Sequence, residues 1–78
     1  MAIGGLVIGV DPAMETTAVE SLRQVSGLSL GVRRGGRWSA VLETTNAAQW
    51  RQAEDTLLAI PGVVDIEVAC IHYDEDVA

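Results

Sequence analysis

The chain is poor in cysteine, in basic residues and in long apolar runs, and each shortage excludes something. A single cysteine, Cys70, rules out an internal disulfide and a cysteine-built metal cluster. Five basic residues stand against eleven acidic ones, for a formal charge of −6, whereas nucleic-acid phosphates demand a basic footprint. The acidity leaves room for a basic partner, or it serves only to keep a small domain soluble. No apolar stretch is long enough to span a membrane, and the N-terminus lacks the basic region of a secretory signal. A soluble cytoplasmic protein without membrane insertion is the expectation. One histidine, His72, and no recognisable spacing of nucleophile and base argue against an enzyme. Gly4, Gly5 and Gly9 are too scattered for a phosphate-binding turn, and neither a cofactor nor a metal site is expected.

What is present is strong periodicity. The 78 residues suit one small domain spanning 1–78, and with 49% hydrophobic residues a single core is feasible. Residues 2–10 read as a buried strand, with Leu6, Ile8 and Val10 on one face and Gly5, Val7 and Gly9 on the other. Asp11-Pro12 opens a helix whose apolar stripe is Met14, Ala18, Leu22 and Val25. Leu28, Leu30 and Val32 alternate with Ser29, Gly31 and Arg33, which sets the latter three on the face shared with Gly5, Val7 and Gly9. Gly35-Gly36 then marks a hairpin, and Trp38, Ala40 and Leu42 alternate with Ser39, Val41 and Glu43 in the returning strand. Asn46 and Gln49 have capping-box spacing ahead of a second stripe, Trp50, Ala53, Leu57 and Ile60. Pro61-Gly62 ends that helix. In the last strand Val64, Ile66, Val68 and Cys70 are expected on an inner face and Asp65, Glu67, Ala69 and Ile71 on an outer one. Residues 73–78 form an acidic tail expected to fray.

The order strand, helix, strand, strand, helix, strand predicts an α+β, ferredoxin-like βαββαβ plait. Its four-stranded antiparallel sheet would have the order 4-1-3-2, with two helices on one face. The other face would be open, with small residues and a modest apolar strip at its centre: Gly5, Val7, Gly9, Val41, Ala69 and Ile71. The reading also sets the first and third strands running the same way, which would gather Asp11, Glu43, Asp65 and Glu67 at one end. Carboxylates grouped beside an apolar strip suit a peptide that carries arginines next to an apolar segment; a solvated sheet edge with Asp11 as a helix cap is the plainer alternative. The loop Asp11-Pro12-Ala13-Met14 lacks both the paired cysteines of ferredoxin-like heavy-metal carriers and the arginine of acylphosphatases.

Four stretches resemble the NapD family, cytoplasmic chaperones of the periplasmic nitrate reductase. They are Gly5-Leu6-Val7-Ile8, Ser26-Gly27-Leu28, Gly36-Arg37-Trp38-Ser39-Ala40-Val41-Leu42-Glu43, and Ile60-Pro61-Gly62-Val63-Val64-Asp65-Ile66-Glu67-Val68 with the acidic ending. The family commonly closes its last strand with Tyr-His; here the order is His72-Tyr73, so an alignment needs a shift near Cys70. The resemblance implies binding of the twin-arginine signal peptide of the nitrate reductase catalytic subunit, as a helix on the open sheet face, holding back export until the molybdenum cofactor is inserted. It implies an apolar contact over Gly5, Val7, Gly9, Val41, Ala69 and Ile71, with Glu43, Asp65 and Glu67 receiving the basic part. Two other classes stay open: a small-molecule sensor of the ACT or amino-acid-regulator type, and a self-associating module using the open face. A monomer or weak homodimer fits either state of that face.

Overall fold

The computed structural model describes residues 1–73; the acidic stretch 74–78 lies outside the described residues. Four strands, β1 (Ala2–Val10), β2 (Leu28–Arg34), β3 (Arg37–Thr44) and β4 (Val63–Tyr73), form one sheet in the order β2-β3-β1-β4. Two helices, α1 (Glu15–Arg23) and α2 (Ala47–Leu58), connect them. This is the expected plait.

Local chemistry explains the boundaries. Asp11 accepts a hydrogen bond from the Ala13 amide (3.0 Å) and caps a short 3-10 turn, Pro12–Met14, so the α-helix proper begins at Glu15. Asn46 caps α2 by accepting from the Gln49 amide (2.9 Å), and the Gln49 side chain accepts from the Thr45 amide (3.1 Å). The hairpin between β2 and β3 turns at Gly35 and Gly36, both at positive φ.

The core lies between the helices and one face of the sheet. Ala18 and Leu22 of α1 and Trp50 and Leu57 of α2 pack with Ala2, Leu6, Ile8, Val10, Ala40 and Leu42. Trp50 is the largest of these side chains and is 1% exposed. Its ring sits over Gly4, where a Cβ would stand 2.8 Å from Cη2 of the indole. A bulky core residue therefore rests on bare backbone, a reason for glycine in the middle of a strand.

Every pairing in the sheet is antiparallel, including β1 with β3. The expectation that the first and third strands run the same way is therefore corrected. A helix that crosses over one strand returns β2 parallel to β1, and the hairpin then reverses β3.

Candidate functional site

No described element covers the second face of the sheet, and the register places its residues in four rows. At the C-terminal end of β1, Arg34, Arg37, Gly9 and Asp65 lie side by side across the four strands. Next come Ser39, Val7 and Glu67, then Ser29, Val41, Gly5 and Cys70, and finally Glu43, Ile3 and His72. In the two middle rows the central pair of strands presents Val7, Ser39, Gly5 and Val41, and Val41 is 47% exposed.

Bulges decide which residues face this side. Gly5 pairs with Cys70 but Leu6 pairs with Val68, so Ala69 is an extra residue in β4, without a register partner and exposed. Beyond it the alternation reverses. Cys70 comes to the open face, its sulfur 3.5 Å from the place a Gly5 Cβ would occupy, and Ile71 turns to the helix side and packs against the core. The expected positions of Cys70 and Ile71 are thus exchanged, and Ile71 is not part of the open strip. A second irregularity between Gly9 and Val10 leaves Val64, expected inside, 63% exposed.

Strand β2 carries the same device. Leu30 pairs with Ala40 and Arg33 with Trp38, so Gly31 and Val32 together oppose Ser39, whose hydroxyl oxygen accepts from the Val32 amide (2.7 Å). Val32 is therefore exposed beside Val7 and Ser39, together with Arg34 and Arg37, around a shallow hollow of about 250 Å³. Arg33 goes to the helix side. There its Nε and Nη2 donate to the two oxygens of Glu15 at 2.6 and 2.9 Å, and Trp38 Nε1 donates to the same carboxylate at 3.1 Å. These hydrogen bonds, that of Arg33 first, hold the Glu15 carboxyl below the ordinary carboxylate range, and Arg33 is raised in return.

Asp65 and Glu67 do face the open side, as expected, but they have company. Arg37 reaches across β1 from β3, its Nη1 donating to Asp65 at 3.4 Å and its Nη2 to Glu67 at 3.3 Å. Gly9 makes this possible: a Cβ there would collide with the Asp65 carboxylate. Gly9 is itself buried, although it belongs to the open face, because the pair closes over it. The alternation of β3 places Arg37 on this face; its distance from the acids depends on strand order and direction.

Glu43 does not join Asp65 and Glu67. It pairs with Ile3 at the opposite end of the sheet, six residues or about 20 Å along β3 from Arg37. Asp11 is engaged as a cap. Among the described residues no group of three or more His, Cys, Asp or Glu could hold a metal ion, and no helix is long and apolar enough to cross a membrane.

The sequence matches no family model and none of the curated proteins. The structure is similar to the solution structure of the E. coli Tat proofreading chaperone protein NapD, with a TM-score of 0.79 over 97% of this chain and 81% of that one, at 17% identity. The likeness covers both crossovers and all four strands, and at that identity it establishes the fold the two chains share, a ferredoxin-like plait.

Proposed function

We propose that this protein is a cytoplasmic proofreading chaperone. Its uncovered sheet face binds the twin-arginine signal peptide of a periplasmic nitrate reductase catalytic subunit and delays export until the molybdenum cofactor is in place. The observation that carries the reading is a bare face with small residues at its centre and two carboxylates at one end. The shared fold with a Tat proofreading chaperone supports it, and so do the four sequence stretches that resemble the NapD family.

The dimensions suit a helix. The rows from Asp65 to His72 span about 20 Å, which a helix of about 13 residues covers. Gly5 and the serines let its backbone come close, while Ile3, Val7, Val32 and Val41 meet its apolar side chains. The arginines of the leader lie at the Asp65–Glu67 end and its apolar segment runs toward Ile3. Ala69 sits at the margin of this floor. Glu43, at the far end, is left out of the cationic contact.

Calorimetric titration with the synthetic leader at low salt tests the reading. The double variant Asp65→Lys/Glu67→Lys should bind on the order of tenfold more weakly or worse, because two attractive charges become two repulsive ones. Unchanged affinity would remove the electrostatic half of the proposal. Val41→Glu, which puts a charge in the apolar strip, should weaken binding without unfolding the chain.

A further inference from the structure

The carboxylates assigned to the incoming arginines already hold a guanidinium. We propose that Arg37 is an internal stand-in for the leader's arginine: it occupies Asp65 and Glu67 in the free protein and is displaced when a cationic peptide docks. The inference rests on the reading above and concerns the regulation of that same site.

Three observations carry it. First, one guanidinium serves two carboxylates on different residues, at 3.4 and 3.3 Å, longer than the roughly 2.7–2.9 Å of a well-formed charge-assisted bond. Arg37 thus lacks the bidentate match that would hold it in place against a competing fork. Second, the pair is exposed: the Arg37 side chain is 43% accessible and the two acids more so, and water can replace either contact. Third, Arg37 lies directly opposite Arg34 in the β2–β3 register. Like charges facing across strands repel, which pushes Arg37 toward the acids while they are free.

The arrangement makes docking an exchange. In the wild-type protein a peptide arginine gains a carboxylate that Arg37 loses, so the number of ion pairs formed on binding is small. A neutral residue at position 37 leaves both carboxylates waiting, and each peptide arginine then adds a new pair. The stand-in lowers affinity for every cationic peptide and keeps the acids from holding stray cations. It also shortens the residence of a leader that must later be handed to export.

The test titrates wild type, Arg37→Gln and Arg37→Lys with three synthetic peptides: an apolar helical segment preceded by two arginines, by Arg-Gln, or by two glutamines. Arg37→Gln should bind the two-arginine peptide on the order of 3- to 10-fold more tightly than wild type, the range expected from relieving two exposed ion pairs. The gain should be smaller for one arginine and absent for none, and Arg37→Lys should fall between wild type and Arg37→Gln. Binding to Arg37→Gln should also depend more steeply on salt. Equal or weaker binding of the two-arginine peptide by Arg37→Gln, with an unchanged thermal melt, would overturn the stand-in and leave the docking face intact. A gain that is the same for all three peptides would also overturn it, since room rather than charge would then be the cause. Absence of binding by every variant would overturn both the inference and the reading beneath it.

Discussion

Arg33 and Arg37 leave opposite arms of one hairpin and meet acids on opposite faces of the sheet. On the helix side, Arg33 grips a single carboxylate with two short bonds, and Trp38 completes the set. On the open side, Arg37 is stretched between two carboxylates at longer range. The first clamp ties the start of α1 to the β2–β3 hairpin and has a fork matched to its acceptor. The second has no such match. Residue type therefore does not distinguish a structural arginine from an exchangeable one; what does is the number of acceptors it must share and the face to which the strand register delivers it.

The widest gap between the two faces should appear on truncating their apolar residues. Trp50→Ala should cost about 3–5 kcal/mol in denaturant unfolding, because it empties the centre of the core. Val41→Ala, on the bare face, should stay within about 0.5 kcal/mol. A comparable loss at both sites would mean that the second face is covered.

An intermediate effect is expected at the helix-side clamp. Glu15 has its folded-state pKa lowered from an ordinary 4.5, with Arg33 the leading cause. Its contribution to stability is therefore fully present above that value and is lost as pH falls through the lower folded value. Thermal melts of wild type should show this acid-side decline, and Glu15→Gln should remove that part of it while lowering the melting temperature at neutral pH. Superimposable pH profiles would show that the clamp is idle.

The smallest change in stability belongs to the open-face pair. Arg37→Gln should alter unfolding by no more than about 0.5 kcal/mol, since exposed pairs contribute little. The contrast sharpens if the substitution that barely moves stability is also the one that moves peptide affinity. Cys70 offers an independent check on the face assignment. Its exposed thiol should react with a maleimide in the folded chain, and docked leader should slow that reaction; native-state protection without leader would restore the regular alternation read from the sequence.

Much of the fold is legible in the sequence, because periods of two and near three and a half separate strands from helices and the Gly35-Gly36 turn fixes the hairpin. The core assignments of Leu6, Ile8, Ala18, Leu22, Trp50 and Leu57 rest on that periodicity. The misreadings have two physical sources. Alternation assumes an unbroken pleat, and one extra residue at Ala69 or at Gly31–Val32 flips every side chain beyond it, which exchanged Cys70 with Ile71 and sent Arg33 to the helices. Gly31 inside a strand was a visible hint of such a break. The shift that the family resemblance requires near Cys70 coincides with the bulge at Ala69. Direction was the second source: misjudging it placed Glu43 with acids that lie at the far end of the sheet. The partners of Arg37 are not legible in the sequence for a related reason, since they belong to a strand two places away and are reached across a glycine.

The two irregular strands, β2 and β4, are also the outermost ones. A neighbouring chain trying to zip onto either rim would find the rank of free amides and carbonyls broken after a few residues, at Gly31–Val32 or at Ala69. Growth of the sheet into stacked fibres is discouraged on both sides, without a proline or a lysine on either strand to block it.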